Sequence, residues 1–149
     1  MNWRNGVIVT DAGLTIAFPG MPFDELVATG AVDLTESTGA GTTNLQCGFM
    51  RKRVRIGPMD ISGIECCAGM YFTGDNLTEV CIVVTDATAD RFSFITGYAS
   101  PPDGPEVSFL NEWIRRETGH YPPMRFRWGS IRHVYDGKAN FARVCFLYQ

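Results

Sequence analysis

Three times in this chain a short polar turn carrying glycine separates two runs of β-type residues. Asp11-Ala12-Gly13 divides residues 7–10 from 14–18. Gly74-Asp75-Asn76 divides residues 66–72 from 77–85. Asp136-Gly137-Lys138 divides residues 125–135 from 140–148. Gly, Asn and Asp accept the backbone geometry that a tight antiparallel turn demands, so each arrangement predicts a hairpin. Side chains alternate along a strand, and each run therefore presents two faces. In the second hairpin Val80, Ile82 and Val84 alternate with Cys81, Val83 and Thr85. Both faces are fairly apolar, which predicts a central strand. In the last run Phe141, Arg143, Cys145 and Leu147 point one way, and Ala142, Val144, Phe146 and Tyr148 the other. A strand this apolar must be paired and covered, so it is integral to the sheet. Residues 47–56 read as another strand, ended by Gly57-Pro58, and residues 59–64 as a short one after it.

Two segments switch to helical spacing. Val107, Leu110, Trp113 and Ile114 form an apolar stripe within residues 105–118, with Phe109 beside it. Pro105 suits the first helical position, Glu106 the positive end of the helix dipole, Arg115 and Arg116 the negative end, and Gly119 the stop. A shorter helix follows Pro22, with Phe23, Leu26 and Val27 on one face and Gly30 closing it. The expected class is α+β, with an antiparallel sheet built from hairpins and two helices packed on one face. The expected core includes Phe72, Val80, Ile82, Val84, Leu110, Trp113 and Phe146.

A length of 149 residues fits one domain, 1–149, with a full core. Apolar residues make up 45% and charged residues 19%, a globular balance. A net charge of −3 argues against a general nucleic-acid binder. The longest apolar run, near residues 80–84, falls far short of the roughly 20 residues that a membrane helix needs. Residues 1–11 lack the apolar stretch and cleavage site of a secretory signal, so the expected location is the cytoplasm. Five cysteines, at 47, 66, 67, 81 and 145, show no Cys-x-x-Cys spacing, and all five are expected as free, largely buried thiols.

Chemistry-bearing patterns are sparse. His120 and His133 are the only histidines. Either could in principle serve Cys66 or Cys67, with Asp86 or Asp136 orienting the ring, but no local motif supports a nucleophilic dyad. Cys and His are too scattered for structural zinc. The acid pairs Asp24-Glu25 and Asp33/Glu36 lie where helix starts and loops normally place carboxylates. Gly39-Ala40-Gly41, in the polar loop 33–44, lacks the third glycine and the following helix of a phosphate loop. No catalytic residue, metal or cofactor is expected.

The basic residues are more informative. Eleven of the thirteen Lys and Arg are Arg, which suits planar bidentate recognition, although an Arg-favouring codon bias gives the same count. Arg51, Arg53 and Arg55 alternate with Lys52, Val54 and Ile56, placing three guanidinium groups about 7 Å apart on one strand face. Arg125 and Arg127 repeat the alternation against Phe126 and Trp128, with Gly129 expected to mark a bulge. Either stripe is a candidate partner contact or a solvated face neutralised by neighbouring acids.

Three segments carry a resemblance to a family. They are Tyr71-Phe72-Thr73-Gly74-Asp75-Asn76-Leu77-Thr78-Glu79-Val80, the helix end Trp113-Ile114-Arg115-Arg116-Glu117-Thr118-Gly119, and Trp128-Gly129-Ser130-Ile131 followed by Tyr135-Asp136-Gly137-Lys138 and a strand closing on Tyr148. In order and spacing they resemble small bacterial proteins of the effector–immunity kind, over residues 71–149. The resemblance implies a cytoplasmic protein that neutralises a partner protein, such as a bacterial toxin, by occupying its surface. It transfers no catalytic residue. The partner-binding candidates are Arg51, Arg53, Arg55, Arg125 and Arg127. The competing expectations are a small-ligand protein or enzyme with a pocket between sheet and helices, and a structural subunit of a phage or secretion system.

Overall fold

Antiparallel pairing dominates the chain. A computed structural model describes residues 2–32, 44–46, 49–85, 105–136 and 141–149. Strands β1 (Ile8–Val9) and β2 (Thr15–Ala17) form a small sheet. The main sheet contains β3 (Asn44–Gln46), β4 (Phe49–Ile61), β5 (Ile64–Thr73), β6 (Asn76–Val84), β7 (Met124–Phe126), β8 (Gly129–Asp136) and β9 (Phe141–Tyr148). Its order is β3-β4-β5-β6-β9-β8-β7, so β6 is indeed central. Helices α1 (Phe23–Ala28) and α2 (Pro105–Thr118) complete an α+β fold.

Both helices lie on one face of the sheet. On β5 the even positions Ile64, Cys66, Ala68, Met70 and Phe72 are buried, and on β9 so are Ala142, Val144, Phe146 and Tyr148. Phe23 of α1 meets Phe72 edge-on, at 5.3 Å between ring centroids. Trp113 of α2 meets Trp3 edge-on at 5.7 Å, and Trp3 stacks on Phe146 at 5.2 Å. Every residue expected in the core is buried. The N-terminal segment is pinned to the same face. Trp128 donates its indole N–H to the Trp3 carbonyl at 3.1 Å, and the Tyr148 hydroxyl donates to the Gly6 carbonyl at 2.9 Å.

Two strand expectations need correction. Residues 49–61 form one strand and do not stop at Gly57-Pro58. The register slips between Ile56 and Met59, and this bulge accommodates a proline that could not serve a regular ladder. Gly57 has a φ of 110°, and a Cβ there would lie 2.9 Å from the Cys66 carbonyl oxygen, so glycine is required. Residues 125–135 are likewise not one strand. The chain folds back at Arg127-Trp128, and β7 pairs with β8 as a tight hairpin. The Trp128 ring is buried there and stacks on Phe126 at 5.0 Å. Gly129 opens β8 and is not a bulge within a longer strand. Its φ is 146°, and a Cβ would fall 1.8 Å from the Leu147 carbonyl oxygen.

The β4–β5 turn is supported from outside. Ser62 and Gly63 both have positive φ, the geometry of a two-residue turn. The Asp11 carboxylate accepts both of their N–H groups, at 2.7 and 2.8 Å. This links the N-terminal hairpin to the main sheet. The loop 33–44 falls outside the described residues except for Asn44, and the turn at 137–140 falls outside them entirely.

Candidate protein-binding face

The opposite face of the sheet gathers the arginines. Register alone builds two rows across it. One row runs Arg53, Tyr71, Glu79, Leu147, Ser130, Arg125. The next runs Arg55, Gly69, Cys81, Cys145, Arg132. Arg143 lies two residues from Cys145 on the same face of β9. Arg53, Arg55, Arg125 and Arg132 are exposed and Arg143 is half-buried. Two strands that are remote in sequence therefore place Arg53 and Arg125 on one surface, about 24 Å apart at the usual strand spacing.

Among the described residues, no carboxylate forms an ion pair with any of these five arginines. The described ion pairs are Lys52–Asp75 at 2.7 Å, Arg116–Glu117 at 3.5 Å and Arg115–Glu112. None of them lies on this face. Arg53 sits over the Tyr71 ring, 5.6 Å from its centroid, which holds the side chain without cancelling its charge. By register Asp60, Glu65 and Glu79 are acids of this face. No direct ion pair holds Arg53 or Arg55 among the described residues, and the Arg51 side chain lies outside them.

A groove of about 290 Å³ opens in this face, lined by Arg53, Arg55, Arg143, Tyr71 and Cys67, with Gly69, Cys81 and Val83 beneath. The Arg143 Nε atom is buried there with no hydrogen-bond partner.

The five sequence candidates fare differently. Arg53, Arg55 and Arg125 share the open face, the first two as neighbours on β4 and Arg125 five strands away on β7. Arg51 occupies the strand position opposite Thr73, and its side chain is outside the described residues. Arg127 sits in the β7–β8 turn and does not share a strand face with Arg125, because the strand ends at Phe126. Sequence reasoning missed Arg132 and Arg143. The alternation of the last strand had already placed Arg143 beside Cys145 and Leu147. What it lacked was the register that sets β9 two strands from β5.

The cysteines also need correction. Cys81 and Cys145 are directly opposed on β6 and β9, with Cα atoms 4.2 Å apart, and they form a disulfide. The expectation of five free thiols overlooked this pairing because 64 residues separate the two in sequence. Glu79 Oε1 lies 3.2 Å from Cys81 Sγ. That is a contact and not a hydrogen bond, since a disulfide sulfur carries no proton. Glu79, Cys81 and Cys145 have ligand atoms within 4.8 Å of one another, but bonded sulfurs offer no thiolate to a metal.

No Cys–His dyad is assembled among the described residues. Cys66 lies on the helix-covered face of β5, and burial, reinforced by the nearby Cys67, Asp60, Asp11 and Glu65, pushes its thiol up to about 12. His133 shares that face but sits on β8, three strands away, about 14 Å at the usual strand spacing. Cys67 points to the opposite face, and His120 is exposed in the turn after α2. Asp86 lies outside the described residues.

No helix among the described residues is long and apolar enough to cross a membrane. Comparison with protein-family models, with curated proteins and with solved structures gives no match.

Proposed function

We propose that this chain is a binding protein that works by covering the surface of an acidic protein partner, docking through the arginine-bearing face of its sheet. One observation carries the reading. Five arginines from β4, β7, β8 and β9 share a face that carries neither α1 nor α2, and none is ion-paired among the described residues. Unpaired like charges on adjacent strands repel one another, so the fold gains little from keeping them. An acidic partner would neutralise them, be steered by their field and be held by bidentate guanidinium–carboxylate bonds. Occlusion of this kind needs shape and charge complementarity and no catalytic residue.

The finer form of the proposal is a bacterial immunity protein that blocks a toxin in the cytoplasm. It draws on the resemblance of residues 71–149. The Cys81–Cys145 bond is the argument against that compartment, because disulfides persist mainly in oxidising surroundings. Small-ligand binding is the second reading, favoured by the groove between Arg53, Arg55 and Arg143. Self-assembly through strand edges has less support. The described sheet ends on β3 and β7, each three residues long, and short edges disfavour edge-to-edge pairing.

Hydrogen exchange on the complex with a partner recovered from the native host tests the proposal. Protection should appear on β4, β5 and β9. Protection confined to α2 and the N-terminal segment would contradict it.

A further inference from the structure

We infer that the groove on the arginine face is a carboxylate subsite, which seats an Asp or Glu side chain from an acidic segment of the partner protein. The inference rests on the docking face proposed above and gives that face its centre. Three observations converge on it.

The first is charge. Arg53 and Arg55 reach the groove from β4 and Arg143 from β9, so guanidinium groups approach from both sides. By register Asp60, Glu65 and Glu79 are acids of this face, and none of the three lines the groove. The second is an unmet donor. The Arg143 Nε atom is buried and unpartnered at the groove wall. A buried N–H on a charged group is costly to leave unmade, and a shift of the Arg143 side chain towards an oxyanion in the groove would satisfy it.

The third is Gly69. Glycine weakens the interior of a strand, and Gly69 has no positive φ to require it. Its neighbours do not require it either. A Cβ there would meet nothing closer than the Tyr71 ring at 3.7 Å and the Cys81 carbonyl oxygen at 3.8 Å, which is ordinary contact. What Gly69 does is leave a hollow between Arg55 and Cys81. Glycine in a strand often marks the close approach of a ligand.

Size selects the occupant. At about 290 Å³ the groove sits at the lower limit of small-molecule pockets, which span roughly 300–1,000 Å³. It suits one or two acidic side chains better than a cofactor. The planar fork of a guanidinium matches a carboxylate edge, which a lysine ammonium cannot reproduce.

The test is an NMR shift titration of the full chain with two probes, an acetylated and amidated Gly-Glu-Glu-Gly peptide and free glutarate. The peptide should saturate the wild-type protein and move the amides of Cys67, Gly69, Tyr71 and Arg143. Arg143→Lys keeps the charge but removes the fork, and should weaken the peptide at least tenfold. Gly69→Ala should weaken it at least tenfold while the melting temperature holds or rises, a combination that a purely structural glycine would not give. Arg116→Gln, on α2, should change nothing. Glutarate binding as tightly as the peptide would keep the subsite and overturn the docking face. A peptide that does not bind, or that binds both groove variants like the wild type, would overturn the subsite, leaving the docking face to stand or fall on binding of the whole partner.

Discussion

Reducing the Cys81–Cys145 bond should destabilise the fold by a predictable amount. The bond joins residues 64 apart, so it closes a long loop in the unfolded chain. Chain-entropy arguments put the stabilisation from a loop of that length at about 4 kcal/mol, and measured bonds deliver about 2–4 kcal/mol. Both sulfurs are buried on central strands, so the folded state should survive reduction at 25 °C with its strands still paired by β6 and β9 backbone bonds. With a urea m-value of about 2 kcal/mol/M, the midpoint should fall by about 1–2 M on adding a dithiol reductant. The direct chemical readout is a thiol count in denaturant without reductant. It should fall two short of the five cysteines in the sequence. Five reactive thiols together with a midpoint indifferent to reductant would refute the reasoning.

Three further outcomes follow from packing and titration. Trp113→Ala should cost about 3–5 kcal/mol in urea denaturation, because the ring is buried against Trp3. Trp113→Phe should stay within about 1 kcal/mol, since it also removes an indole N–H that has no partner; a loss below about 1 kcal/mol for the alanine variant would place the ring at the surface. Gly129→Ala should cost at least about 3 kcal/mol, because its Cβ would collide with the Leu147 carbonyl oxygen, and an unchanged midpoint would refute the β8–β9 register. The Cys66 thiol is raised from 9.0 to about 12, so the folded chain keeps its proton where the unfolded chain loses it. That contribution is fully present below pH 9 and is lost as pH climbs from 9 towards 12. Tyr148 is raised by burial with the same sign. Chemical denaturation between pH 8 and pH 11 should show declining stability, and a flat profile would contradict the burial of both groups.

The sequence made local pattern legible and left long-range pairing hidden. Helix α2 matched its expected bounds because cap signals and an apolar stripe agreed over fourteen residues. The burial of Val80, Ile82 and Val84 followed from period-two alternation. Gly57-Pro58 misled because the same dipeptide that ends a strand can also sit in a bulge. Arg127-Trp128 misled because a tight turn interrupted an alternation that continued on both sides of it. The arginine face was half visible. Arg53 and Arg55 could be seen as neighbours on one strand. Their meeting with Arg143 depends on β9 inserting between β6 and β8, and no local signal encodes that. The disulfide was hidden for the same reason.

The most direct test of the docking face is the dissociation constant for the native partner, measured on the wild type and on the Arg53→Gln/Arg55→Gln variant. Both side chains are exposed and make no ion pair among the described residues, so the melting temperature should be nearly unchanged. The variant should bind at least about tenfold more weakly, roughly 1.4 kcal/mol, and wild-type association should slow as salt rises. A folded variant that binds like the wild type, with no salt dependence, would contradict the docking face.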